Sequence, residues 1–525
     1  MELAQSMVFG SGDAALVLIS GRDVLVKVNL VADKAPSAKP TGTLLVMDGT
    51  GKLLRELPLT APTGAVPTVA PTRPSFADSF SVTVPAELVS NGLQFKARFQ
   101  PAAAAEAVIA PRVGGGRKLT HVSVPIRIGQ TVAVPPANSA RELKAALPVA
   151  DFAQSNHAPY QSQQVLTMPT TSDEWSAAYD SLLGEIDQLR IVEGADASSY
   201  YYGWIPKEVL GLTGLGYRPG KAAVGFDFVQ SQALGLETMV HEVGHNLSLR
   251  HAPCGNPANP DPQYPYANAA LGAGSRFIWG YNSLKNSFVD ATDINEHDIM
   301  SYCSGSWFSD YSYRLMQVYL TPADARSVPP SADMKVERNG LPEELLLVSG
   351  SIAGDQGTFN PVKPFEGTKR ESDQGPYRLR VTTVQGQVSE YPFTAQQLDH
   401  LPGTERFALA IPNPGSIATL EVALDGRVLI RRTSSAAVPT VPGAQEKASI
   451  ATLTFSESDG RLHVNWDASR HQFLSVTHVG AQRTTLALDA QGGRLDLALS
   501  GVPGGGRYEF GLSDGINTVR EMRRR

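Results

Sequence analysis

The stretch His241-Glu242-Val243-Gly244-His245 places two histidines four residues apart, with a glutamate directly after the first. At about 3.6 residues per helical turn, side chains at i and i+4 lie on one face, so both imidazoles of a helix reach a single ion. The glutamate then lies beside the water that the ion activates. A helical stretch would therefore be a zinc site of the kind found in metallohydrolases. The alternative is a buried helix whose histidines only satisfy hydrogen bonds in the core.

A third histidine, His251, lies six residues after His245 and is the predicted third ligand. Three protein ligands leave a fourth position open for water, which distinguishes a catalytic zinc from a closed structural one. An acidic residue further along the chain, Glu296 or Asp298, is the competing third ligand. The sequence thus predicts one zinc ion per chain, held by His241, His245 and His251.

A second motif, Asp298-Ile299-Met300-Ser301-Tyr302, follows about fifty residues later. With the three histidines, it resembles the zinc-binding region of the metzincin endopeptidases, in which a methionine turn lies beneath the zinc ligands. The flanking segments Tyr201–Pro206 and His251–Gly255 resemble large secreted bacterial metzincins, a group that includes mucin-cleaving proteases. The resemblance covers roughly 200 residues in the middle of the chain.

This resemblance implies a zinc endopeptidase with defined roles for three residues. Glu242 is the expected general base, which takes a proton from the attacking water and passes it to the leaving amine. Tyr302 either stabilises the oxyanion or packs under the turn. Met300 is expected to form an apolar base, since a thioether is a poor zinc ligand beside three imidazoles. The implied substrates are proteins or glycoproteins, including O-glycosylated ones.

One residue, Ser248, departs from the metzincin pattern, which has glycine at this position. That glycine ends the helix by adopting a left-handed backbone conformation. A non-glycine residue at positive φ costs on the order of 1 kcal/mol, which a metal site offsets. We therefore expect the chain to turn at Ser248 by another route, with His251 still in place as the third ligand.

The two cysteines of the chain, Cys254 and Cys303, adjoin His251 and Tyr302 respectively. We expect a disulfide that ties the third-ligand loop to the methionine turn. Closing a loop of about fifty residues stabilises the fold by roughly 4 kcal/mol on the chain-entropy model. Two free thiols in a cytosolic enzyme are the alternative, and cysteine ligation of zinc is less favoured with three histidines in register.

Composition and length restrict the class of protein and its partners. A chain of 525 residues is expected to form three or four domains. A net charge of -6, with no basic cluster beyond Arg523–Arg525, argues against nucleic acid as a partner. No apolar stretch is long enough for a transmembrane span. The first residues do not form a signal peptide. The disulfide candidate and the resemblance favour export, so we expect a secreted or cell-surface protein whose signal is not present in this chain.

Short alternating strands with Pro and Gly between them predict β-sandwiches on both sides of the zinc region. The expected architecture is multidomain, with an α/β metzincin-like catalytic domain flanked by immunoglobulin-like β-sandwiches. The predicted domains are an N-terminal sandwich at 1–117, the peptidase domain at 118–330, and sandwiches at 334–438 and 446–525. Trp466 is the predicted core tryptophan of the last sandwich, and Pro101–Arg117 indicates a linker.

Hydrophobic periodicity predicts the elements of the peptidase domain. Val122–Ile128 and Tyr200–Ile205 are expected strands, and Asp173–Glu193 is an expected amphipathic helix. We expect Ala222–Asp227 to be an edge strand that pairs with an extended substrate. Asn256–Asp290 indicates an irregular segment over the active site, whose aromatic residues contact substrate or, more commonly, pack.

A second class of function is also compatible with the sequence. In that reading the chain is a secreted or surface module that binds glycans or proteins, with a non-catalytic peptidase-like domain. Glu242 favours the active enzyme, because a binding role does not require a general base. The sequence does not determine the oligomeric state.

Overall fold

The computed structural model of the chain is rich in β-structure, with several separate sheets and few helices. It describes residues 1–10, 12–13, 16–34, 39–100, 106–206, 212–321, 343–368, 374–398, 403–434 and 453–525. Contacts divide the chain into two compact units. The first comprises Met1–Thr120, Asn138–Gln154 and Leu247–Met334, and the second comprises His121–Ala137, Ser155–Asn246 and Lys335–Arg525. The predicted β-rich architecture of several sheets is thereby confirmed.

The N-terminal part of the first unit contains two antiparallel sheets of four strands each. In spatial order, one sheet comprises Val8–Phe9 (β2), Glu2–Ala4 (β1), Val24–Val28 (β4) and Phe80–Val84 (β7), and the other comprises Leu53–Leu59 (β6), Thr41–Met47 (β5), Gln94–Gln100 (β8) and Ala107–Ile109 (β9). Phe80 and Phe99 pack together across them, with ring centroids 4.9 Å apart, so the sheets share an apolar core. The remaining strands of this part are Leu18–Ile19 (β3) and Val113–Gly114 (β10).

The predicted linker at Pro101–Arg117 is partly wrong. Strand β9 pairs with β8, and β10 pairs in parallel with β3. Both β9 and β10 therefore belong to the sheets of the first unit, and residues 101–105 lie outside the described part. These strands are only three and two residues long, and the Ala, Pro and Gly residues around them are typical of a linker. The alternation of apolar and polar residues that indicates a strand was therefore too short to recognise.

The middle of the chain supplies the four α-helices of the described residues. Its elements are Lys118–Ile128 (β11), Thr131–Val132 (β12), Ala140–Ala146 (α1), Asp151–Asn156 (β13), Tyr160–Gln161 (β14), Ser172–Val192 (α2), Ser199–Ile205 (β15), Gly214–Arg218 (β16), Ala222–Phe226 (β17), Gln232–Asn246 (α3), Gly280–Asn282 (β18), Ser287–Val289 (β19) and Asp310–Leu320 (α4). The helices and strands predicted at 122–128, 173–193 and 200–205 match β11, α2 and β15 closely.

Helix α2 packs on the central sheet of the second unit. A capping box starts the helix: the Thr171 side chain accepts from the Glu174 backbone, and the Glu174 carboxylate accepts from the Thr171 backbone. Its predicted apolar stripe is buried, and Trp175 meets Phe226 of β17 edge to face with centroids 5.2 Å apart. The stripe comprises Trp175, Tyr179, Leu182, Ile186 and Leu189. Burial of this stripe fixes α2 against the sheet that also carries the candidate site.

The prediction that Ala222–Asp227 is an edge strand is wrong. Strand β17 lies between β15, to which it is parallel, and β16, to which it is antiparallel. All five residues of β17 are buried, as is typical of a strand covered on both faces. On the far side, β16 pairs with Gln396–Leu398 (β25) through Tyr217 and Arg218.

Two further apolar cores lie in the C-terminal part of the second unit. Trp466 is buried in the last of them, as predicted. The predicted boundaries near 330 and 439–446 lie outside the described residues. The remaining strands are Glu343–Ala353 (β20), Gln356–Phe359 (β21), Lys363–Gly367 (β22), Tyr377–Thr383 (β23), Val388–Phe393 (β24), Gln396–Leu398 (β25), Thr404–Pro412 (β26), Ile417–Leu424 (β27), Arg427–Thr433 (β28), Leu453–Ser458 (β29), Arg461–Trp466 (β30), Phe473–Val479 (β31), Arg483–Ala490 (β32), Arg494–Ala498 (β33), Arg507–Ser513 (β34) and Thr518–Arg524 (β35).

Among the helices that the structure describes, none combines the length and the apolar character that a bilayer span requires.

Candidate metal centre

Helix α3 carries the first two histidines and the glutamate of the motif. Its end is tied to the neighbouring strands, because the Asn246 side-chain amide donates to the carbonyl oxygens of Tyr217 and Ala222, each at 2.9 Å. Two residues later Ser248 adopts φ 77°, which lies in the left-handed region. The expectation that the chain turns here by another route is therefore wrong, because the serine itself adopts the left-handed conformation expected of a glycine.

The three predicted ligands, His241, His245 and His251, come together. One possible ligand atom from each lies within 4.8 Å of the other two. The Nε2 atoms of His241 and His245 are 3.1 Å apart. Two nitrogens bound to one tetrahedral zinc, each at about 2.0–2.1 Å, are separated by roughly 3.3 Å. All three imidazoles are buried, so this donor set fits a single zinc ion.

The tautomer of His251 is fixed by a backbone contact. Its Nδ1 atom lies 2.7 Å from the carbonyl oxygen of Ala258. Because a carbonyl oxygen only accepts hydrogen bonds, Nδ1 carries the proton. The lone pair of His251 Nε2 is then available to a metal, as is usual for a histidine ligand oriented by a carbonyl.

The carboxylate of Glu242 is held in a tight space against β16. Its side chain is only 2% exposed. A Cβ atom at Gly214 would lie 2.5 Å from Glu242 Oε1, and one at Gly216 would lie 2.9 Å from the Glu242 carbonyl oxygen. Cβ atoms in real proteins essentially never lie within 3.0 Å of another non-bonded heavy atom. Both glycines therefore let the strand pass directly beside the predicted general base.

Two buried phenols of the second unit respond to the charge of Glu242. Burial, and then the negative charge of Glu242, raise the pKa of Tyr202 well above its usual value. Burial, with smaller contributions from Tyr202 and Glu242, also raises the pKa of Tyr179 well above its usual value. Both hydroxyls thus stay protonated at neutral pH, and the Glu242 carboxylate has no second anion among these neighbours.

The methionine turn is organised by the buried carboxylate of Asp298. Its Oδ1 accepts from the backbone of Met300 at 2.9 Å. Its Oδ2 accepts from the Ser309 backbone at 2.9 Å, the Ser312 hydroxyl at 2.7 Å and the Tyr264 hydroxyl at 3.2 Å. Met300 itself is fully buried. Asp298 is therefore a structural acceptor of hydrogen bonds.

The competing third ligands are both engaged elsewhere. Asp298 accepts the four hydrogen bonds just described, and the Glu296 carboxylate accepts from the backbone and hydroxyl of Ser306 at 3.0 and 2.7 Å. Neither carboxylate belongs to the clustered ligand group of the described residues, whereas His251 does. Among the three candidates, His251 is the one whose donor atom lies with those of His241 and His245.

A disulfide joins Cys254 to Cys303, as predicted. Backbone hydrogen bonds reinforce the link, since Tyr302 N donates to the carbonyl of Cys254 and Ala252 N donates to that of Met300, both at 3.0 Å. The ring of Tyr302 meets the ring of His251 edge to face, with centroids 5.0 Å apart. Tyr302 is 43% exposed, so it is not packed under the turn.

Aromatic residues of the segment Asn256–Asp290 pack within the first unit. Trp279 packs against an apolar cluster that includes Tyr281. Tyr266 is buried, and its hydroxyl donates to Asp310 at 2.6 Å. Tyr264 donates to Asp298, as described above. For Tyr264, Tyr266 and Trp279 the more common alternative, packing, is therefore the observed one.

Sequence reasoning missed the roles of four residues at the site. The Gly-x-Gly pattern of β16 was the available signal for Gly214 and Gly216, since glycine in a strand often marks close approach of another backbone. Asn246 gave no signal, because its partners are carbonyls distant in sequence. Asp298 was considered as a ligand, but its role depends on donors eleven and fourteen residues further along the chain.

The segment that carries the site is similar to a known protein family. Residues 218–322 match the model of the family described as Peptidase M66. The matched segment contains the three histidines, Glu242 and the methionine turn. The match supports a peptidase function for this part of the chain.

One curated protein is similar to part of the chain. The chain is 26% identical over 329 residues to the "Dictomallein-like protein" of Hahella chejuensis, which covers 55% of this chain and 48% of that protein. The chain thus spans about half the length of that relative.

Solved structures give only remote similarity. A β-glycosidase from Bacteroides vulgatus is 8% identical with a TM-score of 0.14, covering 97% of this chain and 78% of the other. A glycosyl hydrolase family 2 member from Bacteroides cellulosilyticus is 10% identical with a TM-score of 0.15, covering 100% and 77%. At such scores neither similarity bears on fold or function.

Proposed function

We propose that the chain is a zinc-dependent metalloendopeptidase of the metzincin type that hydrolyses peptide bonds in proteins and glycoproteins, including O-glycosylated ones. The observation that carries the proposal is the cluster of donor atoms from His241, His245 and His251. The peptidase family match over residues 218–322 supports the same chemistry. The catalytic domain would be α/β in character, extend over 118–330 and lie between β-sandwich domains at 1–117, 334–438 and 446–525.

The chemistry of these residues gives each of them a role in peptide hydrolysis. A bound zinc ion would act as a Lewis acid that polarises the scissile carbonyl and lowers the pKa of water. Glu242 accepts a proton from the attacking water, whose oxygen bonds to the carbonyl carbon. The C–N bond then breaks, and Glu242 delivers that proton to the leaving amine. Tyr302, exposed beside His251, donates its hydroxyl hydrogen bond to the developing oxyanion.

A secreted or cell-surface location fits this proposal. A disulfide between Cys254 and Cys303 persists in oxidising compartments and is rare in the cytosol. Proteins and glycoproteins outside the cell are then the substrates within reach. Peptide mapping of protein purified without reductant tests the point, because two free thiols would argue against export.

The test of catalysis compares Glu242→Gln with a matched control, Glu237→Gln, on the same helix. Glu237 is exposed, so its substitution changes the same charge away from the predicted base. We expect Glu242→Gln to keep its zinc and lose roughly 10²- to 10⁴-fold in turnover, and the control to keep its activity. Tyr302→Phe should lose roughly 10- to 1000-fold.

The substrates for this test are casein and an O-glycosylated mucin-type protein. Cleavage of the mucin-type protein alone would identify a glycoprotease, and cleavage of both a general protease. If fully zinc-loaded wild type cleaves neither, the binding-module alternative replaces the enzyme. Equal loss in both glutamate variants would also contradict the role of Glu242.

A further inference from the structure

The last sheet of the chain, β32-β31-β34-β35, ends in two arginines that face each other. Arg507 of β34 lies directly opposite Arg524 of β35 in the antiparallel register. Both side chains are exposed. Like charges directly opposite on neighbouring strands destabilise a sheet. The pair is therefore a candidate for binding an anion, which would relieve the repulsion between the two guanidinium groups.

The arginines around this pair have carboxylate partners. Arg523 pairs with Glu521 at 2.7 Å and Arg525 with Glu457 at 2.9 Å. Within the described part of the chain, no carboxylate lies within ion-pair distance of Arg507 or Arg524. Two other arginines on the same sheet, Arg483 and Arg520, are also paired with glutamates. The sheet thus neutralises its other arginines and leaves this pair available.

The pair lines a surface hollow of about 440 Å³. Val479 and Met522 supply apolar lining, and Gly480 and Gly506 leave the backbone uncovered. A Cβ atom at Gly506 would lie 2.7 Å from the Val479 carbonyl oxygen, so a side chain does not fit there. Arg523 lines the hollow as well, but Glu521 neutralises its charge. A hollow of this size, with apolar walls and two arginines that lack such a partner among the described residues, suits a small anionic ligand.

We propose that Arg507 and Arg524 form a binding site for a carboxylate or sulfate group carried on a sugar. Guanidinium groups bind such planar or tetrahedral anions through two parallel hydrogen bonds, and the apolar lining suits the face of a sugar ring. The proposal rests on the proposed function, since a peptidase acting on glycoproteins meets acidic glycans on its substrates. The site would then favour acidic glycoproteins over neutral ones. Three arginines in one small hollow, one of them paired with Glu521, do not form the extended basic surface that nucleic acid requires.

The binding test uses the full chain carrying Glu242→Gln, so that its outcome does not depend on catalysis. Calorimetric titration with sialyllactose, with a 6-sulfated N-acetylglucosamine, and with neutral lactose separates the two acidic groups from the sugar alone. We expect at least one acidic sugar to bind, lactose not to bind, and added salt to weaken binding.

Two double variants sharpen the test. Arg507→Gln/Arg524→Gln should weaken binding roughly 10- to 100-fold, the loss expected for charge-assisted hydrogen bonds. The matched control, Arg470→Gln/Arg494→Gln, removes the same charge from two exposed arginines of the same C-terminal region and should bind like the parent. Thermal unfolding of both variants verifies their folding.

Three results would overturn the site. They are no binding of either acidic sugar at millimolar concentration, equal loss in both double variants, and equally tight binding of a single-stranded oligonucleotide. The binding measurements use the Glu242→Gln variant with both arginines intact. Their outcome therefore does not change if the chain proves not to be a peptidase. Conversely, with Glu242 restored, Arg507→Gln/Arg524→Gln should cleave casein at the parent rate, so loss of the site and loss of the enzyme remain distinguishable.

Discussion

The helix that carries His241 and His245 and the turn that carries Met300 are fixed by different kinds of interaction. Helix α3 is positioned by buried apolar residues and by a strand whose two glycines admit the backbone closely. The methionine turn is positioned by one buried carboxylate that accepts four hydrogen bonds and by a disulfide. Apart from the two Asn246 hydrogen bonds at the end of the helix, the first region depends on close packing, whereas the second depends on polar and covalent links. The two regions should therefore respond differently to substitution.

The largest effect on stability is expected at Asp298. Asp298→Ala leaves four donors without their buried acceptor, so we expect a loss of about 3 kcal/mol in the free energy of unfolding. Denaturant unfolding measures it. Asp293→Ala is the matched control, because Asp293 accepts hydrogen bonds from Asn295 in an exposed loop. A loss below about 1 kcal/mol at Asp298 would contradict its central role in the turn.

The second test is directed at the helix region. Gly214→Ala places a Cβ 2.5 Å from Glu242 Oε1, so the carboxylate or the strand must shift. We expect a loss of about 1–3 kcal/mol and a fall in turnover with unchanged zinc content. Gly115→Ala is the control, since nothing lies within 4 Å of a Cβ there. Full activity in Gly214→Ala would show that shape does not position the glutamate.

Helix α3 and the methionine turn also differ in how far the sequence predicts them. The 3.6-residue periodicity predicted α2 and placed the histidines of α3 on one face, because helical geometry depends on near neighbours alone. The position of β17 inside the sheet was misjudged, although its unbroken apolar run indicated it. The hydrogen bonds to Asp298 could not be predicted, since they join donors from three separate segments. The third-ligand loop was predicted because its histidine and cysteine both carry chemistry.

A third test concerns the dependence of stability on pH, because the second unit contains a buried ion pair between His157 and Glu193. His157 Nε2 lies 2.8 Å from Glu193 Oε1. Burial lowers the pKa of His157, but the charge and hydrogen bond of Glu193 outweigh it and raise the net pKa above its ordinary value. The stability from this pair is thus fully present below about pH 6.5 and lost as the pH rises through the raised value.

The measurement for this pair is a double-mutant cycle of His157→Gln and Glu193→Gln by denaturant unfolding. We expect a coupling on the order of 1 kcal/mol at pH 6 and a smaller one at pH 9. Glu193 also accepts from Tyr201 and Thr485, and the cycle removes those contributions. Coupling that grows with pH would contradict the assignment.

The smallest effect is expected at Ser248, just past the end of helix α3. Its φ of 77° is strained for serine and relaxed for glycine. Ser248→Gly should therefore raise the free energy of unfolding by roughly 1 kcal/mol and leave activity unchanged. A shift of the melting temperature measures this gain. Destabilisation would mean that the serine side chain stabilises the turn in a way that the backbone does not explain.

The central claim, one zinc ion held by His241, His245 and His251, is tested most directly by metal content. Chelator-stripped protein is titrated with zinc, and the bound metal is quantified for wild type, His251→Ala and the control His297→Ala. His297 is a nearby histidine that contacts the Asn268 carbonyl and does not belong to the ligand cluster. We expect one zinc per chain for wild type and the control, with far weaker binding in His251→Ala. Much less than one zinc in wild type, or unchanged binding in His251→Ala, would contradict it.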